Sequence, residues 1–185
     1  MEISFTTGEP IAESACRVIA EAGQSMRGSV LRAISMAHIA RVAGAWGFKV
    51  QLLRPETLVR IDAGKYWDDH HGTRTQAETF TRNGLVDYGA WREVREECDL
   101  IGIVFGGTPF DADAVAALDQ SDAHYIKIAS GDITNRELIE AAAATARFRH
   151  SSTSSASRAC VSAGAGGHTG SLSPFAFVSA VREFF

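Results

Sequence analysis

The sequence predicts an α/β fold, a parallel sheet of about four βα units followed by an irregular C-terminal tail. Three observations carry this reading. Short apolar runs alternate with segments of helical period from residue 17 to residue 146, the order of repeated βα units rather than of hairpins. The run Leu100-Ile-Gly-Ile-Val-Phe105 is continuously apolar, as strands buried on both faces are. After Ala146 the alternation lapses into a Ser-, Ala- and Gly-rich mixture with no period.

The elements follow in order. Arg17-Val-Ile-Ala-Glu-Ala22, closed by Gly23, reads as the first strand. A helix is predicted from about Ser29 to Ala45, with Leu31, Ile34, His38, Val42 and Ala45 on one face. Gly44 and Gly47 punctuate its exit, and Phe48-Lys-Val-Gln-Leu-Leu53 is the second strand. Residues 54–86 interrupt the alternation with a segment too long for an ordinary βα loop, containing Asp62, Lys65, Tyr66, Trp67 and Asp68-Asp-His-His71. A helix is predicted from Asp87 to about Cys98, with Tyr88, Trp91, Val94 and Cys98 inward. Leu100–Phe105 is the third strand, Gly106-Gly-Thr-Pro-Phe-Asp111 a tight turn, and Asp111 to about Asp119 a short helix. His124-Tyr-Ile-Lys-Ile-Ala129 is the fourth strand, and Thr134-Asn-Arg-Glu137 has the form of a capping box opening a helix through Leu138, Ile139 and Ala142. Residues 147–170 are predicted to be disordered, because they bury too little to offset ordering entropy. Pro174 to Phe185 is read as one further helix.

Composition bounds the function. The chain has 185 residues, 45% hydrophobic and 22% charged, enough for one domain with a sizeable core but short for a complete α/β barrel with accessories. A net charge of −4 offers no basic footprint, so neither nucleic acid nor an anionic membrane is an expected partner. There is no run of about 18 apolar residues to span a bilayer. The opening Met1-Glu-Ile-Ser-Phe-Thr-Thr-Gly-Glu9 lacks a basic and then apolar pattern, so no signal peptide is expected. Cys16, Cys98 and Cys160 are odd in number and widely spaced, which fits reduced thiols. A cytoplasmic protein is therefore expected.

In parallel α/β barrels functional groups collect at the C-terminal ends of the strands. Those ends hold Glu21, Lys49, Gln51, Thr108, Lys127, Ser130 and Asp132. Lysines inside apolar strands are unusual, because a buried ammonium is rarely tolerated without a partner. Three arrangements stand open at this point. Lys49 and Lys127 pair with Glu21 and Asp132, or they hold an anionic ligand beside the Gly106-Gly107 and Gly131 turns, or they point outward. Elsewhere, His70 and His71 beside Asp68 and Asp69 are read as a solvated turn rather than a metal cluster, and His38 as a packing residue. His168 is given no ligand role, and Gly164-Ala-Gly-Gly167 lacks the ending of a phosphate loop. Cys98, at a helix end, is expected to be buried.

Four stretches, in order, resemble the first four βα units of the N-acetylneuraminate (sialic acid) synthase family. They are Ile19-Ala-Glu-Ala-Gly23, then Phe48-Lys-Val-Gln51 with Arg54-Pro-Glu-Thr-Leu58, then Gly102-Ile-Val-Phe105 with Thr108-Pro-Phe-Asp111, and lastly Tyr125-Ile-Lys-Ile-Ala-Ser-Gly-Asp-Ile-Thr-Asn135. The resemblance implies a (β/α)8 TIM-type barrel, of which residues 1–146 form the N-terminal half and residues 147–185 a low-complexity tail. It implies condensation of phosphoenolpyruvate with an N-acyl amino sugar of the N-acetylmannosamine type, giving a nine-carbon 2-keto acid and phosphate. By the same resemblance Lys49, Thr108, Lys127 and Ser130 are the phosphoenolpyruvate-binding residues, and Gln51 and Asp132 lie on the sugar side. Asp132 stands where the family commonly has Glu. Glu21, Lys49 and Lys127 are the implied catalytic residues. Two convergent lysines with hydroxyl donors suit a ligand bearing both phosphate and carboxylate.

The intact family implies a homodimer and a divalent metal, Mn or Mg, to polarise the sugar aldehyde. Its histidine ligands belong to strands five to eight, so no metal is expected on this chain alone. The sequence departs from the family at Ser25-Met-Arg-Gly28, where an Asn-His-Asn-Gly-type turn is usual, and after Ala146, where a fifth strand is usual. A frameshift is one origin for residues 147–185, and translating the other two reading frames decides it. Two alternatives to the synthase reading stand. One is a non-catalytic truncated fragment that self-associates through the open sheet edges of a half barrel. The other is a related synthase that uses an aldose phosphate.

Overall fold

A computed structural model of the chain describes residues 17–60, 62–65, 75–82, 86–145 and 148–151. Five strands form one parallel sheet in sequence order, β1 (Ile19–Gly23), β2 (Gly47–Leu52), β3 (Val104–Pro109), β4 (Tyr125–Ile128) and β5 (Phe148–Ser151). Helices α1 (Val30–Val42), α4 (Trp91–Leu100), α5 (Ala112–Gln120) and α6 (Arg136–Ala144) make the four crossovers. Two short helices, α2 (Pro55–Leu58) and α3 (Gln76–Arg82), lie in the long insertion after β2. The four βα units are those read from the sequence. The fifth strand is an addition: Phe148–Ser151 runs parallel to β4 just past the point where the sequence pattern lapses. The disorder expected of residues 147–170 and the terminal helix otherwise lie outside the described residues, as do Tyr66, Trp67, Asp68, Asp69, His70, His71, Cys16, Cys160, His168 and the Gly164–Gly167 run.

The sheet has two chemically different faces, set by the period of two along each strand. Phe48, Val50 and Leu52 of β2, Phe105 of β3, and Ile126 and Ile128 of β4 are buried under the helices. Trp91, Val94 and Cys98 of α4 meet them, and the Trp91 and Phe105 rings stack with centroids 6.4 Å apart. The other face carries Glu21, Lys49, Gln51, Thr108 and Lys127.

Helix α1 begins where predicted, with the Ser29 hydroxyl accepting from the Arg32 N–H at 3.2 Å. Its inward face differs in part from the one read by periodicity. Ala33, Ala37 and Ala40 are buried, whereas Leu31 and Val42 are 73% and 89% exposed. Alanines let the helix axis approach the sheet and α4 closely; of the stripe read from the sequence, Ile34 packs against the core and Ala45 is buried in it, while Leu31 and Val42 are left outside. His38 belongs to this outer side: half exposed, it places Nε2 2.7 Å from Glu97 Oε1 on α4, so it bridges two helices and does not pack.

The third strand starts four residues later than its apolar run suggests. Leu100 ends α4 at 81% exposure, and Gly102, at φ +70°, turns the chain before Val104. Gly106 and Gly107 are not a turn but the middle of β3. Each leaves room for a neighbour: a Cβ on Gly106 would stand 2.4 Å from the Tyr125 ring, and one on Gly107 would stand 2.6 Å from Leu118. Asp111 caps α5 as its position suggests, accepting from the Ala114 N–H at 2.7 Å. The cap of α6 is Asn135 rather than Thr134, its Oδ1 accepting from the Leu138 N–H at 3.3 Å.

Two outcomes check this packing. Gly106→Ala forces Cβ into the Tyr125 ring and lowers stability by about 1–3 kcal/mol in urea unfolding; a loss below about 0.5 kcal/mol, the range of surface changes, would mean that the ring does not rest on Gly106. Burial pushes the Cys98 thiol up to about 12. It therefore resists iodoacetamide in the native chain at neutral pH and reacts on unfolding, as read by peptide mass spectrometry.

Candidate functional site

Register brings the sequence-predicted residues together across four strands. Glu21 of β1 lies opposite Lys49 of β2, Lys49 opposite Gly106 of β3, and Gly106 opposite Tyr125 of β4. One step further along, Gln51 lies opposite Thr108. Lys127 continues this second row, one residue beyond the Gly107–Ile126 pair, and its register partner on β5 is His150.

At the centre is a buried ammonium. The Lys49 side chain is 3% exposed and forms an ion pair with Glu21, itself 11% exposed. Its Nζ also donates to Thr108 Oγ1 at 3.0 Å. The Glu21 carboxylate is held from the other side by the Gly23 N–H, 3.1 Å from Oε1. Gly23 adopts φ +54° just after a register irregularity in β1, which turns its N–H back onto the Glu21 side chain. Burial pulls the Lys49 pKa below its ordinary value, Glu21 opposes that, and the nearby Lys127 charge adds to the lowering. Lys49, paired with Glu21, and the half-buried Lys127 lie on the same inner face, on β2 and β4 with β3 between them.

The three arrangements open from the sequence are thus resolved separately for each lysine. Lys49 points inward and pairs with Glu21. Lys127 is half-buried and forms no ion pair among the described residues; Asp132 instead accepts from Asn135 Nδ2 at 3.4 Å. Ser130 and Asp132 stand on a short 3-10 turn, Ser130–Asp132, immediately past the end of β4, with Ser130 exposed. Gln51 faces the same side as Lys49 and borders a shallow cleft with Gln24, Met26, Leu53, Val86 and Tyr88.

Two features escaped the sequence reading. The first is a clamp at the strand ends. Arg54 lies 4.4 Å above the Tyr88 ring and pairs with Asp113 at 2.7 Å. Asp111 Oδ2 accepts from Thr57 at 2.9 Å and from the Tyr88 hydroxyl at 3.2 Å, tying the loop after β2 to the start of α5. The Tyr88 hydroxyl is raised far above the ordinary tyrosine range by burial and by the Asp111 charge. The second is Tyr125, seated on Gly106. A glycine pair inside an apolar run is the signal that marks such a close approach.

Among the described residues no three His, Cys, Asp or Glu side chains gather to hold a metal ion. No described helix is long and apolar enough to cross a membrane.

A parallel sheet with a charged inner face and helices outside defines a partial barrel of the (β/α)8 kind. The sequence profile of the NeuB family matches residues 36–164, and the chain belongs to that family. The match runs past Ala146, where the strand pattern of the sequence lapses. N,N'-diacetyllegionaminic acid synthase from Legionella pneumophila is 29% identical over 123 residues, 65% of this chain and 34% of that protein. The structure of N-acetylneuraminic acid (sialic acid) synthetase from Leptospira borgpetersenii superposes with a TM-score of 0.70 at 24% identity, covering 88% of this chain and 54% of that one. Spore coat polysaccharide biosynthesis protein SpsE from Bacillus subtilis superposes at 0.61 with 20% identity, over 89% of this chain and 43% of that one. These structural likenesses bear out the barrel-type fold, and the chain spans about a third to a half of the length of these relatives.

The buried pair makes a stability test. Glu21→Leu strands the Lys49 charge and costs about 3–5 kcal/mol in denaturant unfolding, while Glu21→Leu with Lys49→Met recovers most of that loss. Equal losses for the single and double variants would show that the pair is not coupled.

Proposed function

We propose that this chain supplies the phosphoenolpyruvate-binding strands of a synthase that joins phosphoenolpyruvate to an N-acyl amino sugar, giving a nine-carbon 2-keto acid and phosphate. The observation that carries the reading is the buried Lys49 ammonium between Glu21 and Thr108, with the Lys127 charge next to it and without a carboxylate of its own among the described residues. Membership of a family whose similar proteins include a legionaminic acid and a sialic acid synthase supports the sugar-acid assignment.

The chemistry asks for what this inner face offers. Phosphoenolpyruvate bears a phosphate and a carboxylate on one carbon, and two lysines on one face of the sheet, on β2 and β4, match two anionic groups. Glu21 opposes the lowering of the Lys49 pKa by burial and, through the ion pair, holds the side chain in place before the ligand arrives. Thr108 holds the Lys49 Nζ by accepting one of its hydrogens, which fixes the direction of the others. Ser130, at the mouth of β4, is placed to donate to the phosphate. Gln51 and Asp132 stand at the rim, where the sugar would meet the enolpyruvate carbon. As the new carbon–carbon bond forms, water adds at the phosphate-bearing carbon and phosphate departs, so the products are the keto acid and inorganic phosphate.

Titration calorimetry of the chain with phosphoenolpyruvate tests the binding half. Lys49→Met and Lys127→Met are each expected to weaken binding by about tenfold or more, the loss of one charge-assisted contact. Variants that bind as the parent does would sink the reading. A phosphate-release assay with phosphoenolpyruvate, N-acetylmannosamine and manganese separates a catalytic chain from one that only binds.

A further inference from the structure

Tyr125 is the one residue of the central row whose polar atom has nothing to do. Its side chain is 3% exposed, and its hydroxyl oxygen is buried without a hydrogen-bond partner. Leaving a buried hydroxyl unsatisfied is costly, and a phenylalanine would fill the same space without that cost. The ring is specifically accommodated. Its outer carbons Cε1 and Cζ lie 2.4 Å from where a Gly106 Cβ would be, so the hydroxyl end of the ring stands over β3. Across β3 from Tyr125 come Lys49 and then Glu21, in register. Burial, and after it the Glu21 charge, raise the Tyr125 pKa well above its ordinary value. A hydroxyl that stays protonated is a donor in waiting, and the acceptor in its row is Glu21.

We propose that Tyr125 is a positioning residue whose hydroxyl donates to the Glu21 carboxylate when an anionic ligand draws the Lys49 ammonium toward itself. In the ligand-free chain Lys49 satisfies Glu21, and Tyr125 is idle. When the ammonium turns to the anion, Glu21 would be left as a buried carboxylate held by the Gly23 N–H alone. The phenol offsets that loss and keeps the carboxylate in place beside the bound ligand. No covalent bond changes in this step, and the phenolic proton stays on its oxygen. The inference rests on the reading of Lys49 as an anion-holding group, and it adds a residue that this reading does not use.

The test compares the whole chain with Tyr125→Phe, which keeps the ring on Gly106 and removes only the hydroxyl. Thermal melts are recorded without ligand, and calorimetric titrations are run with phosphoenolpyruvate and, separately, with inorganic phosphate. The expected result is a melting temperature equal to or above the parent's, with about tenfold weaker anion binding. In a Glu21→Gln background the same substitution should no longer weaken binding. The parent's near-ultraviolet tyrosine difference spectrum on ligand addition should also lose a component in Tyr125→Phe. Unchanged affinity in Tyr125→Phe overturns the proposal, as does a lowered melting temperature with unchanged affinity, the mark of a purely structural tyrosine. Binding of phosphate but not phosphoenolpyruvate refutes the proposed function while the Tyr125 comparison is still decided on phosphate. Binding of neither refutes both.

Discussion

A lysine ammonium removed from water loses several kcal/mol of hydration, and only a close counter-charge and hydrogen bonds return it. Lys49 is in this position, with its side chain 3% exposed in the second strand of a parallel sheet. Much of the local architecture serves that requirement. Strand β1 must lie beside β2 so that Glu21 reaches the ammonium, and its irregularity at Gly23 turns a backbone N–H onto the same carboxylate. Strand β3 must present Thr108 one register step further on. The pair holds the inner face of the sheet in one arrangement, because a slip of one residue in either strand would put its charge into the helix layer and part the two.

The helix layer solves a different problem with different residues. There the demand is dense packing without polar groups, met by Phe48, Phe105 and Ile126 against Trp91, Val94 and Leu118. Helix α1 meets it mainly with alanines, with Val30, Ile34 and Met36 partly buried against the core and Leu31, Ile39 and Val42 exposed. The glycine pair of β3 belongs to both layers. Gly107 makes room for Leu118 on the helix side, and Gly106 makes room for Tyr125 on the inner side. One strand thus yields space on both faces, and the phenol reaches over it toward the charged pair.

The NeuB family match over residues 36–164 takes in β2 to β5 and the residues at their ends. The rim network of Arg54, Tyr88, Asp111 and Asp113 shows how the loops bearing those residues are tied together. It joins the loop after β2 to the helix after β3, so Gln51 and Thr108 are carried on mutually braced segments.

The sequence alone was enough to identify four βα units in order, the strands bearing Lys49 and Lys127, and the helix starts near Ser29 and Asp111, while its capping box at Thr134 fell one residue short of the cap Asn135. These follow from local period and local capping chemistry, which a stretch of ten residues carries within itself. It misplaced the start of β3, because an apolar run reads the same at a helix end as in a strand. It read the inward face of α1 only in part, placing Leu31 and Val42 inward with Ile34 and Ala45, because hydrophobicity ranks leucine above alanine, whereas the distance between helix and sheet ranks them the other way. It found no strand after Ala146, because β5 is held by pairing with β4 rather than by a pattern of its own. Which lysine is paired, which hydroxyl is left without a partner, and why a glycine stands at position 106 are facts about atoms far apart in the chain. Only the tertiary structure decided them, since burial and counter-charge are set by what register brings across from the neighbouring strand.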